Sequence, residues 1–207
     1  MTELQASAEQ SDRLHVAIIA GSTRPRRKAH NVARWLHEHA AERQDASFEV
    51  VDIADYNLPL LDEPTPPIAG PLQPAAHQTL GAEDRLLRRI HLRHSRVQPL
   101  DLGRAQERDR YLHAEWNDKA AAFVGYGIDG ATRAIEHLRL ILAEVKVADV
   151  RTPVTLRFGE DFAGYNEPTP RDSQQQAVQA MLDDLLSWGQ ALAALRDQDE
   201  PTTERAA

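Results

Sequence analysis

The sequence predicts an α/β domain in which helices cover both sides of a parallel sheet. Short, nearly unbroken apolar runs are typical of strands buried on both faces, and here they alternate with helical patterns. A chain of 207 residues is long enough for one such domain with a substantial core. We expect a single domain over residues 13–195, with disordered tails at 1–12 and 196–207 because both ends are polar.

In the first half, Leu14–Ala20 is predicted to be a buried strand and Phe48–Ile53 the next one. A helix is predicted to begin at Asn31 between them. Tyr56–Gly70 is rich in proline, which disfavours helix and central strand, so we expect a long surface loop there. The apolar positions of the helix are Val32, Trp35 and Leu36.

In the second half, the sequence predicts a buried strand at Ala120–Tyr126 and a helix at Ala131–Val145. A further strand is predicted at Ala148–Leu156, and a long terminal helix at Ser173–Leu195. The chain has no repeat and no linker that would divide it, so these elements belong to one domain.

Composition excludes several classes of protein. The net charge of −8 argues against a general nucleic-acid-binding protein, which normally carries a basic excess. No apolar run approaches the roughly 20 residues of a membrane span, and Met1–Arg13 lacks an apolar signal core. The absence of cysteine rules out disulfides and thiolate chemistry and fits a cytoplasmic protein. The nine histidines show no metal-ligand spacing, so we predict no metal site.

The first strand leads directly into a basic, glycine-containing loop before a helix, which is typical of a phosphate site. Glycine permits the tight turn, hydroxyl and backbone groups donate hydrogen bonds, and the helix N-terminus adds partial positive charge. The spacing fits neither G-x-G-x-x-G nor G-x-x-x-x-G-K-[ST]. An ordinary basic turn is the alternative. The candidate phosphate ligands are Gly21, Ser22, Thr23, Arg24 and either Arg26 or Arg27.

The residues Gly125-Tyr126-Gly127 end another predicted strand and are further candidate contacts for a ligand. Ligands of open α/β sheets bind at the carboxyl ends of the strands. A glycine-flanked loop brings backbone amides close to a flat ring, and Tyr126 could stack on that ring. By itself, the pattern is better explained as a tight turn.

Three blocks together resemble the NADPH-dependent FMN reductase family, which includes flavodoxin-like quinone, azo-dye and chromate reductases. They are GSTRPRRKAHNVARW, ADYNLPLLDEPTPP and YLHAEWNDKAAAFVGYGIDGATRAIEHLRLIL, in that order. The resemblance implies a flavodoxin-like three-layer sandwich with a five-stranded parallel sheet. It also implies FMN phosphate held by Ser22, Arg24 and Arg27, with ring contacts from Gly125–Gly127. It further implies NAD(P)H as the electron donor and a small molecule as the electron acceptor. The protein is expected to form a homodimer or homotetramer.

One block does not fit the resemblance. The family's flavin motif, a strand ending in TPEYN and then a helix containing LKNA, belongs between Glu83 and Tyr111. Asp84–Arg110 instead reads DRLLRRIHLRHSRVQPLDLGRAQERDR, with eight arginines, no aromatic residue and no strand pattern. As written, this block makes the central strand of the sheet doubtful.

A local frameshift explains this block. His94–Pro99 can be encoded as CAC TCC CGA GTA CAA CCG, and dropping one base gives ACT CCC GAG TAC AAC, which encodes TPEYN. The same shift turns the whole block into TVSYDGFIFVTPEYNRSISAALKNAID without changing its length. A genuine basic insertion that binds an acidic partner is the alternative. If the block is real as written, we expect poor folding and little bound flavin.

Two functions from different classes remain. In the first, NAD(P)H passes hydride to the N5 of FMN and a quinone, azo compound or free flavin takes the electrons. In the second, the chain is a non-enzymatic flavodoxin-like electron carrier or phosphate-ligand binding module, or the inactive product of a frameshifted gene. Flavodoxins are usually more acidic and richer in aromatic residues, which favours the enzyme.

Overall fold

A computed structural model describes residues 13–56, 90–95 and 116–199, the backbone alone at 90–95 and 197–199. This part of the chain contains eight strands and three helices. The strands are β1 (Leu14–Ala20), β2 (Ala46–Asp52), β3 (Ile90–Ser95), β4 (Lys119–Gly127), β5 (Val147–Asp149), β6 (Val154–Arg157), β7 (Phe162–Ala163) and β8 (Glu167–Pro168). The helices are α1 (Ala29–Ala40), α2 (Thr132–Glu144) and α3 (Asp172–Asp199).

The main sheet is parallel, with the order β2-β1-β3-β4-β5 and β6 also paired with β4. The chain moves outward from β1 to β2, then crosses back to place β3 on the other side of β1. This reversal is the switch point of doubly wound sheets, and the order matches the flavodoxin-like pattern.

Helices cover both faces of the sheet because side chains alternate along the buried strands. Val16 and Ile18 of β1 point into a core with α1 and α3, whereas Ala17 and Ile19 point into a core with α2. We call these the α1–α3 core and the α2 core. All nine residues of β4 are buried, which explains why the central strands appear in the sequence as continuous apolar runs.

Most predicted elements are present, with small shifts at their ends. β1 has the predicted bounds, and α1 begins two residues before the predicted start at Asn31. Val32, Trp35 and Leu36 are buried as predicted. The terminal helix extends to Asp199 and therefore includes the first residues assigned to the disordered tail. The loop predicted at Tyr56–Gly70 lies outside the described residues beyond Tyr56.

The block that shows no strand pattern nevertheless contains a central strand. β3 pairs with β1 on one side and with β4 on the other. Backbone groups on the inner edges of β1 and β4 need partners, and this requirement is independent of side-chain type. The doubt about a central strand was therefore wrong, because β3 lies between β1 and β4. The residues of β3 occupy the positions at which the shifted reading places FIFVTP.

The fifth position of the sheet is divided, so the described part of the chain contributes six strands to it and the expected five-stranded sheet is not confirmed. β5 and β6 pair with successive parts of β4. The chain leaves the sheet between them, where Pro153 has no N–H to donate. Arg139 of α2 stabilises this departure: it donates to the carbonyl oxygens of Val150 and Arg151, at 2.8 Å each. Its guanidinium also lies 5.0 Å from the ring centre of Phe123.

A short antiparallel hairpin, β7–β8, follows the sheet and is fixed by a buried carboxylate. Asp161 is 0% exposed and accepts from Arg171 Nε at 2.9 Å and from the backbone N–H of Arg157 at 2.8 Å. Burial alone would raise the pKa of Asp161, but the hydrogen bonds from Arg171 and the backbone lower it overall. Asp161 therefore serves a structural role as an anion.

Candidate functional site

The candidate site lies where β1, β3 and β4 end, because the carboxyl ends of parallel strands share one edge of a sheet. β1 runs into the loop Gly21–Lys28, and β4 ends at Gly127. Since β3 separates β1 from β4, the two strands are about 10 Å apart, twice the spacing between neighbouring strands, and Ala20 lies level with Val124 of β4. A ligand with an anionic group and a flat ring could therefore span both loops.

The loop after β1 contains a tight turn with a strained residue. The Arg27 N–H donates to the Arg24 carbonyl at 3.1 Å, with Pro25 and Arg26 at the centre of the turn. Arg26 has a φ of 59°, as the third residue of a type II turn requires, although glycine or asparagine is usual there. Such backbone strain costs about 1–3 kcal/mol and is concentrated at functional sites. Ser22 is 8% exposed, whereas Arg24 and Arg26 are exposed.

Arg27 is held at this edge by an acidic residue from the neighbouring strand. Arg27 Nη2 lies 2.6 Å from Oδ2 of Asp52, the last residue of β2. Asp52 is 7% exposed, and its Oδ1 accepts the Ala54 N–H at 3.0 Å. Arg27 Nε is buried and has no hydrogen-bond partner among the residues that the structure describes. The Nε–H of the guanidinium thus remains as a donor for a ligand.

The start of α1 adds positive potential to the same place. Lys28 occupies the cap position without a side-chain hydrogen bond to the helix, and the first turn contains no acidic residue. The first N–H groups of a helix lack partners within the helix and favour anions. The buried Ser22, the held Arg27 and this helix start converge beside the end of β1.

The loop after β4 is packed so tightly that glycine is required. A Cβ on Gly125 would lie 2.3 Å from the Gly130 carbonyl oxygen and 2.8 Å from Ile135 Cδ1. Gly130 has a φ of 66°, and a Cβ there would lie 2.6 Å from Thr155 Cβ. The backbone after Gly127 therefore turns back over the sheet edge before α2 begins.

The side chain of Tyr126 does not reach this edge. It is 0% exposed and packs in the α1–α3 core, 6.2 Å between ring centres from both Phe158 and Phe162. The idea that its ring stacks on a ligand is therefore wrong for this conformation, because the alternation of strand side chains directs it into the core. What Gly125–Gly127 present to a ligand is backbone.

Known proteins resemble this chain both in sequence and in structure. The family model described as NADPH-dependent FMN reductase matches residues 14–84. The NAD(P)H-dependent FMN reductase ntnL of Nectria sp is 30% identical over 176 residues, which cover 78% of this chain and 86% of ntnL. This chain belongs to the NADPH-dependent FMN reductase family. The NAD(P)H-dependent FMN reductase C4B3.06c of Schizosaccharomyces pombe is 25% identical, covering 87% of this chain and 84% of that protein.

A solved structure supports the fold. The flavoenzyme NAD(P)H:(acceptor) oxidoreductase FerB from Paracoccus denitrificans superimposes with a TM-score of 0.63, covering 85% of this chain and 99% of FerB. The sequence identity is 19%, so this likeness concerns the fold alone. It agrees with the flavodoxin-like strand order.

Membership of the FMN reductase family implies FMN and NAD(P)H as cofactors. The residues at the end of β1 fit the phosphate of FMN: Arg27 Nε is a buried donor that lacks a partner in the described structure, and Ser22 is buried beside the strand end. A phosphate monoester offers several acceptor oxygens, which suits a guanidinium donor, a hydroxyl and helix N–H groups.

Sequence reasoning missed Asp52, which it treated as part of a strand. The available signal was an acidic residue at the carboxyl end of a buried strand in an α/β sheet. Within residues 13–56, 90–95 and 116–199, no group of three or more potential metal ligands is present, and no helix could cross a membrane. Trp35 is buried, in agreement with its apolar position in the predicted helix, and Trp116 is buried as well.

Proposed function

We propose that this member of the FMN reductase family passes hydride from NAD(P)H through bound FMN to a quinone, an azo compound or free flavin. The observation that carries the proposal is that Arg27, in the loop after β1, has a buried Nε–H without a partner among the described residues, and that the same loop contains the buried Ser22. This site lies at the switch point between β1 and β3, where flavodoxin-like sheets bind FMN.

We assign the phosphate to Gly21, Ser22, Thr23, Arg24 and Arg27, and the ring to the backbone of Gly125–Gly127. The support is geometric, because the loop from Gly21 follows β1, Gly125–Gly127 ends β4 at the same sheet edge, and β3 lies between these two strands. Arg24 is exposed, so a ligand in solution can reach this residue. Glycine is required at Gly125 because the Gly130 carbonyl oxygen and Ile135 occupy the space that a Cβ would need.

When bound, FMN supplies the redox chemistry, accepting hydride and releasing electrons to the acceptor. The chain itself has three tasks: it binds the phosphate, positions the ring and leaves one ring face accessible to donor and acceptor in turn. None of these tasks needs a nucleophile or a conspicuous acid. We infer from its family that the enzyme forms a homodimer or homotetramer. We infer a cytoplasmic location because the chain contains no cysteine.

We also propose that Asp84–Arg110 is a frameshifted reading of the family sequence. The family model stops at residue 84, where this block begins. β3 occupies Ile90–Ser95, where the shifted reading places FIFVTP in register between β1 and β4. The working enzyme would then carry TVSYDGFIFVTPEYNRSISAALKNAID over these positions.

The decisive experiment compares flavin content and turnover. The full-length protein, as written and with the shifted reading, is purified, and its visible spectrum is recorded before and after incubation with FMN. NADPH consumption is then followed with menadione, an azo dye or free FMN as the acceptor. We expect the shifted form to be yellow and to turn over. A folded, colourless shifted form would refute FMN binding, and a yellow form without turnover would favour the electron carrier.

A further inference from the structure

A carboxylate beside a phosphate site needs an explanation, since it repels the ligand. Asp52 is such a group: it is nearly buried, and Arg27, the proposed phosphate ligand, contacts it directly. Its second oxygen accepts the Ala54 N–H, so the carboxylate is fixed in orientation. The side chain of His30 also lies near it, with Nδ1 3.9 Å from Oδ2, and is 55% exposed.

The geometry gives Asp52 a role through Arg27. Arginine has about 2 kcal/mol of rotamer entropy to lose when it is held in one orientation. The bond between Nη2 and Asp52 removes this freedom before a ligand arrives, and Nε stays buried without a partner among the described residues. A ligand that meets a fixed donor does not have to order it, which increases affinity.

We propose that Asp52 is a positioning residue that orients Arg27 toward the phosphate of FMN. The inference rests on the proposed function, because it presupposes FMN at the end of β1. It predicts that Asp52 affects recognition of the phosphate and leaves recognition of the ring unchanged. A merely structural ion pair, which fastens β2 to the loop, would affect both alike.

Riboflavin separates these two roles, because it carries the ring of FMN without the phosphate. Affinities for FMN and riboflavin are measured by flavin fluorescence titration of the full-length protein as written, with the form carrying the shifted reading of 84–110 in parallel. Asp52→Asn keeps the shape and an oxygen for Ala54. We expect it to weaken FMN binding about fivefold to tenfold through loss of a charge-assisted bond, and to leave riboflavin binding within about twofold of the unsubstituted protein.

Arg27→Met supplies the second arm. We expect it to weaken FMN binding by at least about tenfold, and Asp52→Asn to add nothing on that background, because interacting residues give non-additive effects. Asp45→Asn is the matched control: Asp45 also pairs with an arginine, Arg43, but lies just before the amino end of β2, at the opposite edge of the sheet.

Several outcomes overturn the inference. The inference fails if Asp52→Asn lowers the affinities for FMN and riboflavin equally, or if it does not lower the affinity for FMN. It also fails if Asp52→Asn lowers FMN affinity by its full factor on the Arg27→Met background. If Asp52→Asn does not fold, Asp52→Glu retains the charge with a displaced carboxylate, and the same selective loss of FMN is required. If the unsubstituted protein binds neither flavin in either form, the proposed function fails instead.

Discussion

The sharpest prediction concerns the block Asp84–Arg110. Replacing it with TVSYDGFIFVTPEYNRSISAALKNAID changes the side chains of the central strand and keeps its length and register. At position 91 the strand is paired with Ala17 and Ala121, and at position 93 with Ile19 and Phe123. These four neighbours are at most 7% exposed. Each position is therefore paired with buried residues on both neighbouring strands, where apolar side chains stabilise the fold.

The size of the effect follows from these two positions. His91→Ile and Arg93→Val each introduce an apolar side chain whose burial contributes about 1.5–3 kcal/mol, so the pair contributes about 3–6 kcal/mol. A native domain has only about 5–15 kcal/mol of stability in total. We therefore expect the replacement to decide whether the chain folds cooperatively.

Urea denaturation followed by circular dichroism measures this difference. Two partial replacements act as controls: one over residues 84–95, which changes the strand, and one over 96–110, which does not. We expect the first to raise the midpoint and the second to leave it nearly unchanged. If the chain as written unfolds cooperatively at the same midpoint as the replaced form, the reasoning about the frameshift is refuted.

Two further predictions concern the loop after β4 and the hairpin anchor. Gly125→Ala should unfold at a lower urea concentration and bind FMN weakly, because its Cβ would lie 2.3 Å from the Gly130 carbonyl oxygen. Gly159→Ala is the control and should show neither effect, because the space around Gly159 is open. Equal behaviour of the two variants in both assays would contradict the packing argument. Asp161→Asn should cost about 2–3 kcal/mol, since hydrogen bonds to a charged group are lost, as measured by urea denaturation at pH 7. The pKa of Asp161 is lowered in the folded state, so its contribution is present above the ordinary aspartate pKa of about 3.9 and is lost as pH falls through the lower folded value. The loss of unfolding free energy caused by Asp161→Asn should therefore become smaller in strong acid. A loss that stays constant with pH would count against a structural role of the Asp161 anion.

Local patterns were sufficient for much of the scaffold. The bounds of β1 agree with the apolar run, and α2 lies within one residue of its predicted ends. The division of β5 from β6 escaped prediction because it depends on Arg139, a residue of α2 that reaches the carbonyls of Val150 and Arg151. Glu136 and Arg139 are three residues apart in α2, and such spacing indicates only the ion pair between them, which is present at 3.3 Å.

The amino-acid order alone was enough to indicate the flavin family and an anion-binding turn after the first strand, because residues 21–27 are contiguous and their chemistry is local. It could not show that Asp52 holds Arg27 or that Tyr126 packs in the α1–α3 core. Those features depend on strand pairing, which joins residues far apart in the chain, and on the face of the strand to which each side chain points. Tertiary packing therefore decided which of the candidate residues can present a side chain to a ligand.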